Sequence, residues 1–314
     1  MADTKIQWTD KVWNPVRGCS KVSPGCANCY AERMASRFAR PGDGYDGLVF
    51  AKRDGRAPGW TGEARFIPEM LDAPLRWRKP SLVFVNSMSD LFHDDITNEQ
   101  IAAEFGVMAA CPRHTFQVLT KRPKRMTEWF EWATRDATDA GSGRFNSQAE
   151  ACRGEAIDAL QRLVSSGYHP LRSELTGYDS RWPLPNVHLG VSVENQAAAD
   201  ERIQLLLQCP AAVRWVSCEP LLGAVNLDDL WGERRVYRGD TVSGFLDWEP
   251  SIDWIVCGGE SGPNARPMHP DWARSLRDQC KAAGVPFWFK QMSGLRPGTV
   301  GPDDLEAFKE RPNA

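Results

Sequence analysis

Long apolar runs are missing from this 314-residue chain. None approaches the roughly 18 residues that a bilayer-spanning helix needs. The opening Met1-Ala-Asp-Thr-Lys carries no apolar segment, so no signal peptide is expected. The five histidines (93, 114, 169, 188 and 269) are dispersed, and no pair has a metal-site spacing. There is no Walker loop, no dinucleotide fingerprint after a first strand, no nucleophile elbow, and no internal repeat or low-complexity stretch. These absences remove P-loop, Rossmann and serine-hydrolase chemistry and leave a cytoplasmic chain with no membrane partner as the expectation. Charge of one sign is also scarce. A net charge of −3 argues against a protein that coats nucleic acid non-specifically, though a local basic groove remains open.

Hydrophobic residues at 42% and charged residues at 25% are ordinary for a globular protein. Thirteen tryptophans are many; some should fill the core, and others could offer flat surfaces to a ring-shaped substrate. Of nine cysteines, Cys111, Cys152, Cys209, Cys218, Cys257 and Cys280 are scattered, which reads as a reducing compartment rather than a disulfide scaffold. The other three crowd into eleven residues as Cys19-x6-Cys26-x2-Cys29, with a helix-like run directly after. Three thiolates so close can hold an iron–sulfur cluster with one position left open. They can also form a zinc knuckle completed by a distant Cys or His, or bind nothing.

A rhythm organises the rest. The short apolar runs 82–85, 115–119, 187–191, 213–216, 254–257 and 287–289 each have the length of a buried strand, and each ends on polar residues. A first strand is expected around Trp13 to Arg17. Helices are expected at 28–39, with Met34 and Phe38 on one face and Arg33, Arg37 and Arg40 as a solvated basic row. More are expected at 97–111, opened by the capping box Thr97-Asn-Glu-Gln100, at 195–208, and at 270–283 between Pro270 and Gly284. Strand and helix in alternation predict a mostly parallel α/β sheet. Because nearly every strand ends on polar groups, a partial or full (β/α) barrel fits better than an open doubly wound sheet. We expect one barrel-like catalytic domain over 1–314. Stretches 134–186 (with a helix at about 148–165) and 220–250 break the rhythm and read as insertions.

The cysteine motif, with Tyr30 and Ala31 after it, resembles a variant of the radical S-adenosylmethionine signature, whose usual spacing is C-x3-C-x2-C. Trp8-Thr9-Asp10, Trp13-Asn14-Pro15, Gly18-Cys19, Gly190 to Asn195 and Gly258 to Gly262 resemble a narrower group, the phage-associated three-cysteine-motif proteins. The wider resemblance implies a (β/α) barrel, a [4Fe–4S] cluster on Cys19, Cys26 and Cys29, and S-adenosyl-L-methionine bound at the open iron. It also implies an electron donor, and cleavage of the cofactor to a 5′-deoxyadenosyl radical that abstracts hydrogen from substrate. In that superfamily a Gly-Gly-Glu segment contacts the cofactor's amino group, which makes Gly258, Gly259 and Glu260 candidates here. A tight turn with a solvated glutamate is the plainer reading.

Further candidates lie at the other strand ends. Glu194 and Glu219, with Ser192 and Ser217, could bind cofactor or move protons, as could Lys290. Buried pairing of the carboxylates to Arg214 or Arg266 is the alternative. Asn86, Ser87, Ser89 and Asp90 have a similar claim, or cap the next helix. His93 and His269 are weak acid–base candidates. Lys121, Arg122, Lys124 and Arg125 form the densest positive cluster and would suit phosphate, with Trp129, Trp132 and Trp182 available to stack on an extruded base. The expected function is thus an iron–sulfur, S-adenosylmethionine-dependent radical enzyme modifying a nucleobase or nucleotide, in DNA or RNA. The rivals are a zinc-stabilised nucleic-acid-binding protein, with Cys218 or Cys257 as fourth ligand, and a nuclease or defence component whose Glu194, Glu219 and Glu260 bind Mg²⁺.

Overall fold

Six of the apolar runs are strands, with starts where the sequence puts them. A computed structural model describes residue 4 and residues 6–50, 57, 59–138, 183–232 and 251–312. Its strands are β1 (Lys11–Trp13), β2 (Val16–Gly18), β3 (Ala64–Phe66), β4 (Leu82–Val85), β5 (Thr115–Thr120), β6 (Val187–Ser192), β7 (Val213–Cys218), β8 (Trp254–Gly258) and β9 (Phe287–Gln291). The helices are α1 (Tyr30–Phe38), α2 (Asn98–Ala109), α3 (Pro123–Thr138), α4 (Gln196–Gln208), α5 (Pro270–Ala283) and the short α6 (Asp303–Glu306). Seven strands follow chain order, β1-β4-β5-β6-β7-β8-β9, in a mixed α/β fold. That order has no reversal, so it lacks the switch point of a doubly wound sheet and agrees with a partial β/α barrel.

The expected strand at 13–17 is corrected. Pro15 has no N–H to give a ladder, and the chain breaks there into β1, parallel to β4, and β2, antiparallel to β3. The helix ends follow their chemistry. Thr97 and Gln100 exchange both bonds of a capping box at α2. Asn195 Oδ1 accepts from Ala198 N at the start of α4, and α5 runs from Pro270 to Gly284, whose φ is +63°. The expected helix near 148–165, the residues 139–182 of the first insertion and 233–250 of the second lie outside the described residues.

The chain divides into two compact units, the first up to Val191 with 210–212, the second Ser192–Cys209 and from Val213 on. In the first, β1, β4, β5 and β6 are parallel. Trp8 packs edge-on to Phe84 at 4.8 Å, and Phe105 stacks on Trp129 at 4.4 Å. In the second, β7, β8 and β9 are parallel, and Trp215 lies 5.4 Å from Trp254. Five tryptophans, 8, 13, 129, 215 and 254, are wholly buried.

Within β6, burial pushes the His188 imidazole down to about 4. The folded chain therefore refuses a proton that the unfolded chain accepts below about pH 6.5. Stability is full above 6.5 and falls as pH drops through that value toward 4, by about 3 kcal/mol at pH 4. Urea midpoints of wild type and His188→Gln across that window read the effect. The variant should lose less on acidification; an equal fall in both would clear His188 as its cause.

Candidate metal centre and its buried support

Cys19 leaves β2 directly after Gly18, whose φ is +85°. That glycine pairs with Ala64 of β3 and bridges to Ser89. Cys26 closes a 3-10 turn opened by Pro24, and Cys29 is the N-cap of α1. All three are free thiols of intermediate exposure on one loop.

Behind Cys19 stands a buried polar network that joins this loop to the carboxyl end of β5. Arg122 Nη1 approaches Cys19 Sγ at 3.7 Å and donates to Asp90 Oδ2 at 3.0 Å. Its Nη2 donates to the Ser20 carbonyl at 3.0 Å and to Ser20 Oγ at 2.7 Å. Asp90 is the hub. Its Oδ1 also accepts from Phe92 N and Thr120 Oγ1, and its Oδ2 from Lys121 N. Arg122 and Asp90 are 8% and 7% exposed at the side chain, so the pair is almost wholly desolvated. His93 Nδ1 accepts from Asp95 N at 3.2 Å, which leaves the proton on Nε2, 2.9 Å from Ser20 Oγ. Burial, then the Arg122 charge, keeps that imidazole below its ordinary pKa and neutral.

Burial pushes the Cys19 thiol up to about 12, with Asp90 adding to the effect and Arg122 opposing it. Burial also raises Cys29, against the pull of the Ala31 and Glu32 backbone N–H groups at the helix start. In donor type the loop fits a thiolate-ligated group, with a cation and helix N–H dipoles beside the sulfurs. A bound metal would displace the thiol protons. Among the described residues, however, no three Cys, His, Asp or Glu side chains are drawn together in ligating positions.

The second unit holds the candidate carboxylates, and each has a basic partner. Glu260 takes the Arg266 guanidinium at 2.6 Å and the Arg266 backbone N–H at 2.8 Å. A Cβ on Gly259 would sit 2.2 Å from Ser293 N, and one on Gly258 would sit 2.7 Å from Glu219 Oε1. Close packing against the backbone of Ser293 therefore accounts for Gly259 without a ligand. Glu194 is buried against Arg202 at 3.1 Å, and Arg202 also donates to the Ser192 carbonyl. Glu219 meets Lys290 at 2.8 Å. The three carboxylates considered for Mg²⁺ are thus each neutralised by a basic side chain. Cys218 and Cys257 are fully buried cross-strand neighbours.

The basic run divides. Arg122 points inward as described, and Arg125 Nη2 donates to Asn98 Oδ1 at 2.7 Å and to the Ile96 carbonyl. Lys121 is half-buried and Lys124 exposed. Trp129 is corrected from a surface ring to a core one, its N–H donating to the Asn98 carbonyl. Trp132 is half-buried, and Trp182 lies outside the described residues. Asn86 is bonded within the protein. At φ +56° its Oδ1 accepts from Val16 N, and its amide donates to Glu104. Ser20, not singled out in the sequence, is the connector sequence reasoning missed; only its place beside Cys19 hinted at it.

Comparison with known proteins adds one result. The chain belongs to the family described as "Protein of unknown function (DUF5131)", whose match covers residues 3–307. No curated protein and no solved structure matches. No helix among the described residues is long and apolar enough to cross a membrane.

Proposed function

We propose that this protein is an iron–sulfur enzyme of the radical S-adenosylmethionine type, with its cluster on Cys19, Cys26 and Cys29 and a nucleobase or nucleotide as substrate. The observation that carries the cluster is Arg122, a buried cation held by Asp90 with one N–H turned toward Cys19 Sγ. Three thiolates around a cluster leave net negative charge in a half-buried place, and a fixed guanidinium offsets it. When bound, such a cluster supplies an electron and an open iron for a chelating cofactor.

The chain's own residues do the rest. Gly18 turns the backbone so that Cys19 leaves the hairpin, and Ser20 ties the loop to Arg122. Neutral His93 holds Ser20 from the other side. Glu260 is left out of this reading because Arg266 already takes its oxygens. For the substrate, Lys124 is the exposed residue of the basic run.

Protein purified without oxygen and reconstituted with iron and sulfide should absorb broadly near the blue edge of the visible and bleach with dithionite. Cys19→Ala, Cys26→Ala and Cys29→Ala should each lose the cluster, whereas Cys111→Ala and Cys280→Ala keep it. Stoichiometric zinc without iron in anaerobically isolated protein would replace this reading with a zinc knuckle.

A further inference from the structure

Helix α1 is turned the opposite way from an ordinary amphipathic helix. Its buried face is Ala31, Glu32, Ala35 and Ser36, while Tyr30, Met34 and Phe38 are 45%, 42% and 60% exposed. Four-residue spacing places those three in one row along the helix. Arg33 and Arg37 form a second row beside it. The only acidic residue of the helix, Glu32, is buried and bonded to Lys21 at 2.9 Å, so the helix itself puts no carboxylate on its outer face, where Tyr30 Oη donates to the Ser87 carbonyl. Just beyond the helix, Asp43 turns its oxygens onto the backbone N–H groups of Arg40 and Tyr45.

We propose that the outer face of α1 binds a single strand of nucleic acid, with phosphates along Arg33 and Arg37 and bases over Tyr30 and Phe38. Charge complementarity selects a polyanion. Two exposed aromatic rings beside the arginines select one that carries flat bases, since stacking accepts any base while the arginines track the backbone. A duplex hides its base faces and would leave both rings uncovered. The strand would then run along the helix that starts at Cys29. The inference rests on the nucleotide half of the reading above and supplies the polymer surface that the 121–125 run, half turned inward, does not.

Binding is measured by fluorescence anisotropy on cluster-free and cluster-loaded protein, with oligo-dT, oligo-U and a duplex of equal length. Wild type should bind a single strand and prefer it to the duplex, and the dT and U arms decide between DNA and RNA. Phe38→Ser should weaken binding about fivefold to a hundredfold, the range of one lost base stack. Arg37→Ala should flatten the dependence of log affinity on log salt by about 0.7, one phosphate on a single strand. Both side chains are exposed, so iron content and circular dichroism should stay at wild-type values. Absence of wild-type binding at low salt, or unchanged binding by both variants, overturns the proposal. So does a wild-type dimer that Phe38→Ser dissociates, because a second copy would then cover the face. Iron analysis of the same samples keeps the two readings apart: a protein without iron that loses oligonucleotide on Phe38→Ser retains this inference and loses the cluster.

Discussion

Asp90→Ala should destabilise the protein by about 3–5 kcal/mol, the usual cost of leaving one member of a buried ion pair alone. The carboxylate accepts from Arg122, Phe92 N, Thr120 Oγ1 and Lys121 N. Its removal strands a guanidinium that is 8% exposed. Arg122→Met should cost less, because Asp90 keeps three donors. Asp90→Ala with Arg122→Met should recover part of the single-variant loss, since no charge is then buried. Urea denaturation of the set gives the coupling. Independent, additive losses would mean that the pair is not the hub its geometry describes. The same variants should bind iron poorly on reconstitution, because Ser20 and Cys19 lose the group that fixes them.

Gly18→Ala should cost roughly 2–6 kcal/mol, the sum of two effects. A residue at φ +85° is strained by about 1–3 kcal/mol when it carries a Cβ. That Cβ would also lie 2.3 Å from the Glu63 carbonyl oxygen, a backbone atom that no rotamer change can move. Overpacking of this kind adds about 1–3 kcal/mol. Relief requires the β2–β3 pairing to open, which moves Cys19 with it. Thermal melts should therefore shift down, and iron content should fall in whatever fraction still folds. A variant with wild-type melting and iron would show that the hairpin yields freely and does not set the loop.

The strands were legible because a strand buried on both faces is a short uninterrupted apolar run, and Leu82 to Val85 or Trp254 to Cys257 look like nothing else. The capping box at Thr97 and the helix start at Pro270 were legible because both are local signals. Partners far along the chain were not. Nothing near Arg122 or Arg125 in sequence says that the first reaches back to Ser20 and the second to Asn98. Gly258-Gly259 gives one signal for two causes, a ligand close to the backbone or another strand's residue, and only the position of Ser293 separates them. The Met34–Phe38 spacing gave a helix at the right place but not its direction. Periodicity finds the apolar row, whereas the core here chose the alanines, which let α1 approach Val49 and Met88 closely.

The join between Arg122 and Cys19 spans 103 residues. On a ribosome adding about 5–20 residues per second, the cysteine loop is in existence for roughly 5–20 s before its arginine is made. β1 waits about two-thirds as long for β4, since parallel partners cannot be neighbours in sequence. During that interval the three thiols lack their cation, and they are open to oxidation. If the loop carries the proposed cluster, its filling would be a late event in the life of the nascent chain, with metal needed after Arg122 has emerged and not when the cysteines do.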